Sequence, residues 1–326
     1  MTATPIAIVT MLAAVLTGCS HEPVYRVELP SEVAVGSKSI AIVGDTQLTP
    51  PIVRALRRRE YNETEQAELF ADLRARIDEI SALVVVGDLV FTARSERDWR
   101  HFDALIEPFA SEMPVLPAIG NHDYPCFFVY LCRKSRIARR MQARFPWFEP
   151  GRPYSVSSSE LKLLFLDSES RLDEQGAWLA RELDAAAQSH RAALVFFHRP
   201  AYTHSIDQRA AGSAEVQQHI VPVLRSAALP IVAISGHVHG LEVLVVDGVH
   251  YLTTAGGGGS RGLLGPERPG DAYRGPDCRV EDDGAVLRPF NYLVASVEPA
   301  ALVIEIRGFC RGDGAVRLLD SVEIPL

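Results

Sequence analysis

The sequence predicts an α/β fold, and two observations indicate it. First, five short apolar runs lack any alternation with polar residues, which is typical of strands that are covered on both faces. They are IAIV (40–43), LVVV (83–86), VLPAI (115–119), LVFF (194–197) and IVAI (231–234). Second, segments with helical periodicity lie between these runs. Strands that alternate with helices indicate a sheet with helices packed on its faces.

Two helices are predicted from their periodicity. Asn62 and Glu65 predict a capping box at the start of the first helix. Its apolar residues recur at three- and four-residue steps and are Phe70, Leu73, Ile77 and Ile80. The second helix is predicted to start near Asp173 and to bury Trp178, Leu179 and Leu183. The C-terminal third contains the strand-like runs LEVLVV, VHYLTT, NYLVASV and ALVIEI, which predict a second sheet.

The composition limits the partners that the chain can have. Its 326 residues include 33 basic and 41 acidic side chains, and the net charge is -8. General nucleic-acid binders usually carry a positive surface, so no nucleic-acid partner is expected. The sequence does not predict an oligomeric state.

The first 19 residues predict export from the cytoplasm. The apolar run from Ile6 to Leu16 is too short to span a bilayer but has the length of a signal-peptide core. The segment that ends at Cys19, LTGC, resembles the lipobox of bacterial lipoproteins, in which the cysteine is lipidated. No Lys or Arg precedes the apolar core, so an unlipidated signal peptide is the alternative. We therefore expect a periplasmic, extracytoplasmic protein that a lipid anchor on Cys19 holds at a membrane of the cell envelope, with residues 20–38 as a tether.

Four cysteines remain after Cys19, and they could form disulfides in an oxidising compartment. Three pairings are possible. We favour Cys126 with Cys132 because the loop between them is short. We favour Cys278 with Cys310 because both lie in the C-terminal part. The alternative is four free thiols in a cytoplasmic protein.

Each of the five apolar runs is followed closely by side chains that could bind a metal. These side chains are Asp45, Asp88, Asn121 with His122, His198, and His237 with His239. Because ligands bind at the carboxyl ends of strands in α/β sheets, we expect these side chains to converge. A lone buried histidine is more often a core residue, but two histidines in the glycine-flanked turn GHVH suit a metal site. Carboxylate, amide and imidazole ligands together favour Mn, Fe or Zn.

In this order, the blocks GDTQ, GDLV, GNHD, FFHRP and GHVH resemble those of the calcineurin-like metallophosphoesterases. The blocks extend from Ser39 to Gly240, and we expect residues 39–326 to form one domain. The resemblance implies a two-sheet β-sandwich flanked by helices, a four-layer αββα arrangement, with a dinuclear metal centre. It implies a first metal held by Asp45, Asp88 and His239. It implies a second metal, to which Asp88 bridges, held also by Asn121, His198 and His237.

The resemblance also assigns roles to two residues beside the metals. His122 would stabilise charge on the phosphoryl oxygens and help to protonate the leaving group. Asp123 would orient His122.

Two positions depart from the family pattern. The first block usually reads Asp-x-His, whereas here Gln47 follows Asp45 and Thr46. Gln47 could bind the first metal through its amide oxygen, act through water, or face away from the site. Purple acid phosphatases, one branch of the family, have a tyrosine three residues after the Asp of the GD block. Phe91 occupies that position here and cannot bind iron, so a tyrosinate-iron centre is disfavoured.

The resemblance implies a hydrolase for an anionic phosphate ester that works with two divalent or trivalent metal ions. We expect a phosphomonoesterase, with a phosphodiesterase as the first alternative. A lipoprotein that has lost catalysis and only binds a phosphate ligand is the second alternative, which Gln47 favours. The sequence predicts neither the substrate nor the identity of the metals.

Two further segments carry expectations. The glycine run AGGGGS (255–260) is predicted to be a flexible loop at the rim of the crevice, because no helix clearly follows it to form a phosphate cradle. The basic stretch CRKSRIARRMQARF (132–145) is predicted to be a helix with a solvated basic face. The alternative for this stretch is a cap that gathers anionic substrate or touches lipid head groups. Its basic face would contain Arg133, Arg136, Arg140 and Arg144.

Overall fold

The computed structural model describes residues 24–25, 28–32, 38–57, 60–124, 139–207, 212–254, 256–266 and 270–326. The predicted signal peptide with Cys19, the Cys126–Cys132 pair, Arg133 and Arg136 lie outside the described residues, as does most of the tether. Within the described part of the chain, no helix is both long and apolar enough to cross a membrane.

The described residues form seven α-helices and fifteen strands. The helices are α1 (Pro51–Arg57), α2 (Glu63–Ala75), α3 (Glu96–Ala110), α4 (Arg139–Arg144), α5 (Leu172–Ala186), α6 (Ala214–His219) and α7 (Val221–Ser226). The strands in the first half are β1 (Ser39–Val43), β2 (Ile80–Val86), β3 (Val115–Ala118), β4 (Tyr154–Ser157) and β5 (Leu161–Phe165). They continue with β6 (Ala192–Phe196), β7 (Ile231–Ser235), β8 (Leu241–Val246), β9 (Val249–Thr254) and β10 (Leu263–Leu264). The last are β11 (Arg279–Val280), β12 (Val286–Leu287), β13 (Phe290–Val297), β14 (Ala301–Phe309) and β15 (Arg317–Pro325).

Two six-stranded sheets pack face to face. The first sheet has the order β15-β14-β13-β1-β2-β3, and the second has the order β4-β5-β6-β7-β9-β8. β1, β2 and β3 are parallel to one another, as are β5, β6, β7 and β9. A third sheet of three short strands has the order β10-β12-β11.

The apolar runs are buried on both faces because each face of a strand enters a different core. In β1, Ile40 and Ile42 belong to the core between the two large sheets. Ala41 and Val43 belong to the core between the first sheet and helices α2 and α3. A separate core lies between the second sheet and helices α5, α6 and α7. The layers are therefore helix, sheet, sheet, helix, which confirms the predicted four-layer fold and all five predicted strands.

The predicted capping box at the start of α2 is wrong. Asn62 precedes the helix but makes no side-chain cap. Its amide instead donates to the carbonyl of Gly259 at 2.8 Å and accepts from Nη2 of Arg311 at 2.8 Å. The cap is lost because Oδ1, the atom that would accept from the first N–H groups of α2, accepts from Arg311 instead, while Nδ2 is directed to the glycine run. Further along, Phe70 and Leu73 are buried as predicted.

The end of α2 differs from its prediction, whereas the start of α5 agrees with it. Ile77 lies in a 3₁₀ turn and Ile80 begins β2, so the helix is shorter than its apolar periodicity predicts. The predicted helix near Asp173 is confirmed as α5, with Leu179 and Leu183 buried as predicted and Trp178 only half-buried.

The predicted C-terminal strands are confirmed, but they do not form a sheet of their own. β8 and β9 join the second sheet, while β13, β14 and β15 complete the first. A two-residue turn joins β8 to β9, and its residues Asp247 and Gly248 both have positive φ, as a tight hairpin requires. The strands that were not predicted are β4, β5, β15 and the short strands β10, β11 and β12.

The structure confirms one predicted disulfide and contradicts the predicted exposure of one arginine. The disulfide between Cys278 and Cys310 is confirmed. Arg144 does not belong to a solvated basic face, because it is buried. Its guanidinium forms an ion pair with Asp103 and lies 4.5 Å from the centre of the Trp99 ring.

Candidate metal centre

The carboxyl ends of strands from both large sheets meet at one place. The imidazole Nδ1 of His198, which follows β6, lies 3.1 Å from the carbonyl of Val86 at the end of β2. The backbone N–H of His237, which follows β7, donates to Oδ2 of Asp45 at 2.9 Å. Asp45 follows β1. The side chains that follow four strands are therefore brought together between the sheets.

These side chains form two clusters that share one carboxylate. In one cluster, potential ligand atoms of Asp88, His198 and His237 all lie within 4.8 Å of one another. In the other, those of Asp45, Asp88 and His239 do. Oδ1 of Asp88 lies 3.3 Å from Nε2 of His198, and Oδ1 of Asp45 lies 3.2 Å from Nε2 of His239. Asp88 thus belongs to both clusters, as a carboxylate that bridges two metals would.

The hydrogen bonding of the site fits a bound cation. Four buried side-chain atoms here have no hydrogen-bond partner among the residues that the structure describes: Oε1 of Gln47, Oδ2 of Asp88, Oδ1 of Asn121 and Nε2 of His198. Each unpaired buried polar atom costs about 1–3 kcal/mol. All four atom types are ligands for transition metals, so metal ions would satisfy them together.

Gln47 faces this site. Its side chain is buried, and its Nε2 lies 3.0 Å from Nε2 of His239. Of the three possibilities left by the sequence, an orientation away from the site is therefore excluded.

Backbone carbonyls fix the orientation of three histidine rings. Nδ1 of His198 contacts Val86 as described, Nδ1 of His239 contacts the carbonyl of Ser260 at 2.8 Å, and Nδ1 of His122 contacts the carbonyl of Phe91 at 2.7 Å. A carbonyl can only accept, so each Nδ1 carries the hydrogen. Nε2 is then the atom that each ring presents to the site.

Asp123 holds the turn that carries Asn121 and His122. Its carboxylate accepts from the N–H of Gly120 at 2.8 Å and from the N–H of Val90 at 3.3 Å. Asp123 thus fixes the backbone that carries His122, and the Phe91 carbonyl contacts Nδ1 of the ring.

The site stabilises positive charge between its carboxylates and imidazoles. Burial opposes the charge of His198, but the carboxylates of Asp88 and Asp45 outweigh it and raise the pKa of His198 to about 10. Burial also opposes the charge of Asp88, yet His198 and His122 hold the pKa of that carboxyl well below its usual range. Burial, His198 and Arg199 together hold the pKa of His237 well below its usual range, so its imidazole is neutral. Metal ions bind deprotonated ligands, so binding of a metal to His198 would require this ring to lose its extra proton.

The local backbone is strained where the site is built. Asp45, Asp88, His237 and His239 all have φ between 49° and 72°, a region that side-chain-bearing residues rarely adopt. Gly236 is required by close approach, because a Cβ there would lie 2.5 Å from Oδ2 of Asp45.

Sequence reasoning missed one ion pair at the edge of the site. Nη1 of Arg199 lies 3.0 Å from Nε2 of His237. Two hydrogen bonds to Glu169, at 2.5 and 3.2 Å, hold the guanidinium in place. The signal for Arg199 was its position directly after His198. Nothing in the sequence pointed to Glu169.

The glycine run was predicted to be a flexible loop at the rim, and this is wrong. Gly256 to Gly259 are buried under the site. The N–H of Gly259 donates to the carbonyl of Asp45 at 3.0 Å. Nε2 of Gln66 donates to the carbonyl of Gly257 at 2.5 Å and to that of Thr46 at 2.7 Å. Gln66 shares the buried face of α2, and a polar residue on that face was the available signal.

Comparison with known proteins agrees with this geometry. Residues 38–241 match the calcineurin-like phosphoesterase family. The chain is 26% identical to purple acid phosphatase 18 of Arabidopsis thaliana over 164 residues, which cover 48% of this chain and 37% of that protein.

Two solved structures have a similar fold. A purple acid phosphatase, PPD1, from yellow lupin (Lupinus luteus) matches 91% of this chain and 55% of its own, with a TM-score of 0.66 and 17% identity. A dimetal phosphatase from Danio rerio matches 89% of this chain and 99% of its own, with a TM-score of 0.56 and 15% identity. The chain thus spans about half or less of the two purple acid phosphatases described. Because the family match covers most of the chain, this protein belongs to the calcineurin-like phosphoesterase family.

Proposed function

We propose that the protein is a metal-dependent phosphoric ester hydrolase with a dinuclear centre, and that it acts as a phosphomonoesterase outside the cytoplasm. The observation that carries the proposal is the position of Asp88 in both clusters of potential metal ligands. A shared carboxylate lets two metal ions lie close enough to act on one phosphoryl group.

The ligands divide between two metals drawn from Mn, Fe and Zn. The first metal would be held by Asp45, Gln47, Asp88 and His239. The second would be held by Asp88, Asn121, His198 and His237. When bound, the metals supply Lewis acidity toward the phosphate ester and the attacking water. Phe91 in place of a tyrosine supports a centre without a tyrosinate ligand.

The remaining polar residues act on the phosphoryl group and the leaving group. Nδ1 of His122 is bonded to the Phe91 carbonyl, so Nε2 is the nitrogen left to act on the departing alcohol, to which the protonated ring would donate. Asp123 keeps His122 at its place by fixing the turn beneath it. Arg199, aligned by Glu169, adds a donor at the edge of the site that neutralises charge on the phosphoryl oxygens.

The proposed location rests on the sequence and on one covalent bond. The signal-like residues 1–19 and the LTGC segment support export and a lipid anchor on Cys19. The disulfide between Cys278 and Cys310 supports an oxidising compartment, because disulfides are rare in the cytosol. Cys19→Ser is expected to move the protein from membranes to the soluble extracytoplasmic fraction. Unchanged fractionation and an unlipidated wild-type N-terminus would contradict the anchor.

Two substrates that share a leaving group test the activity. The protein, loaded separately with Mn, Fe or Zn, is assayed with 4-nitrophenyl phosphate and with bis(4-nitrophenyl) phosphate, and its metal content is measured. We expect two metal ions per chain and a higher kcat/KM for the monoester. A higher kcat/KM for the diester would favour the phosphodiesterase alternative. Binding of inorganic phosphate without turnover of either ester would favour the binding-only alternative.

A further inference from the structure

A cavity opens directly beside the candidate metal centre. Its volume is about 310 Å³, within the range of small-molecule sites. Gln47 lines the cavity and also contacts His239. Phe91 lines it as well, and the Phe91 ring lies 4.9 Å from the ring of His122. A substrate with its phosphoryl group at the centre would therefore have its alcohol part next to this cavity.

About half of the accessible wall of the cavity is apolar. The apolar half is formed by Leu48, Pro50, Pro51, Tyr61, Leu89, Val90 and Phe91, and the uncharged polar side chains on the wall include Gln47, Thr49 and His101. Two acids on the wall are already engaged, because Asp98 accepts from the N–H of Thr92 at 3.1 Å and Glu63 accepts from the Tyr61 hydroxyl. The basic side chains Arg97 and Arg100 on α3 are exposed at the rim. The cavity thus combines an apolar part of its wall with a basic rim.

An exposed apolar surface continues from the cavity onto α1. Pro51 lines the cavity and is also the first residue of α1. Ile52 and Leu56 are four residues apart on this helix, so they share one face, and they are 68% and 79% exposed. Arg54 lies 5.4 Å from the centre of the Tyr61 ring, which packs α1 against the cavity wall.

We propose that the cavity receives the apolar part of the substrate, so that the enzyme acts on phosphate monoesters of amphiphilic alcohols. The part of the alkyl or acyl chain nearest the phosphate lies against Leu48 and Phe91, and the phosphoryl group lies at the metal centre. Only a chain longer than hexyl, or the membrane that holds it, reaches the exposed face of α1. In the reaction, water adds to phosphorus, the P–O bond to the alcohol breaks, and the alcohol leaves with a proton. This inference rests on the proposed function.

A chain-length series tests the inference. Ethyl, butyl and hexyl phosphate are soluble, and their leaving alcohols have similar basicity, so their intrinsic reactivity is alike. Burying one methylene favours binding by up to about fourfold, so we expect kcat/KM to rise by about two- to fourfold per methylene. Leu48→Asn should reduce the hexyl-to-ethyl ratio by about tenfold. Leu318→Asn, which makes the same change on the exposed part of β15, should leave the ratio unchanged.

Binding of hexylphosphonate and ethylphosphonate to the metal-loaded protein, followed by calorimetry, gives a readout that does not depend on turnover. Hydrolysis of ethyl phosphate with no chain-length effect in either assay would overturn the inference and leave the proposed function standing. Tighter binding of hexylphosphonate with no hydrolysis of any ester would overturn the proposed function while supporting the apolar role of the cavity.

A second experiment distinguishes a membrane-lipid substrate from a soluble amphiphilic substrate. Phosphatidic acid in phosphatidylcholine vesicles is compared with hexyl phosphate in solution, using the wild type and the double variant Ile52→Ser with Leu56→Ser. If the substrate is a membrane lipid, the double variant should lose at least about fivefold in activity on vesicles but less than about twofold on hexyl phosphate. If it is a soluble amphiphile, the wild type should hydrolyse hexyl phosphate and leave the vesicles intact. Both outcomes support an amphiphilic substrate, whereas a preference for ethyl phosphate over both would contradict it.

Discussion

The amide of Gln47 lies beside the imidazole of His239, with their Nε2 atoms 3.0 Å apart and with Oε1 of Gln47 buried without a partner. A half-turn of the amide would exchange its nitrogen and oxygen and would place the oxygen next to the ligand nitrogen of His239. The position therefore allows Gln47 to act as a ligand, although an amide oxygen is a neutral and weaker donor than imidazole for a transition metal.

Replacing Gln47 with histidine should strengthen the first metal site. In the wild type, we expect a chelator to remove one metal before the other, because the second site has two imidazoles. Gln47→His should raise the affinity of the weaker site by about tenfold, the scale on which changes around metal ligands act. Competition titrations with a chelating dye measure both affinities. Equal affinities in the wild type, unchanged by the substitution, would show that Gln47 does not bind metal.

Replacing Asp88 should remove both metals at once. Asp88→Asn keeps the size of the side chain but removes the charge that both clusters share. Losing a residue that hydrogen-bonds to a metal ligand typically lowers the metal affinity by about 10- to 100-fold. Losing Asp88, a proposed ligand itself, should lower the affinity for each metal by more than this. Metal content and hydrolysis should fall together. Asp184→Asn, an exposed change on α5, is the control. Retention of one full metal in Asp88→Asn would show that Asp88 serves only one site.

Replacing His122 should separate catalysis from metal binding. Its Nδ1 is bonded to the Phe91 carbonyl and it belongs to neither ligand cluster of the described residues. His122→Ala should keep both metals and lower kcat by about a hundredfold or more, the usual effect of removing a general acid. The loss should be smaller for 4-nitrophenyl phosphate than for ethyl phosphate, because nitrophenolate leaves without a proton. His190→Ala is the control, and loss of metal in His122→Ala would make His122 a ligand.

Glu242 should make the stability depend on pH. Burial raises the pKa of Glu242 to about 7 despite hydrogen bonds from Thr203 and the N–H of His204. The folded protein therefore binds this proton more tightly than the unfolded chain, where the pKa is about 4.3. The bound proton therefore stabilises the folded state fully below pH of about 4. As the pH rises from about 4 to about 7, this contribution is lost and the free energy of unfolding falls by up to about 3 kcal/mol.

The variant Glu242→Gln has no proton to lose, so it should lack this decline. Urea unfolding at several pH values should give a difference in free energy between variant and wild type that grows in favour of the variant from pH of about 4 to 7. Glu323→Gln, an exposed change on β15, should show no such growth. A difference for Glu242→Gln that stays constant with pH would contradict the raised pKa.

The sequence predicted those parts of the fold in which local and long-range preferences agree. The apolar runs became strands because both of their faces are buried. The predictions failed where a tertiary partner overrode a local preference. Asn62 would cap α2 in isolation, but its Oδ1 accepts from Arg311 and its Nδ2 donates to the Gly259 carbonyl. Arg144 carries a charge that usually favours solvent, but Asp103 and Trp99 provide a buried position for it.

At the site, the spacing of the motifs was enough to identify the side chains that converge, because each follows a strand. Spacing could not reveal Glu169 or Gln66. Their roles depend on helix and loop packing between segments that are distant in the sequence. The orientation of Gln47 likewise required coordinates, because its neighbours in the chain allow several directions.

Positive φ angles at four proposed ligands make the stability of the fold and the function of the site compete. The four residues are Asp45, Asp88, His237 and His239. Glycine adopts such a conformation without the strain of about 1–3 kcal/mol that a residue with a side chain bears. A change to glycine at any of these four positions would thus relieve backbone strain while it removes a proposed metal ligand. Selection for thermodynamic stability alone would favour the loss of these side chains. Carrying side chains at all four positions is therefore an advantage only through what the site does.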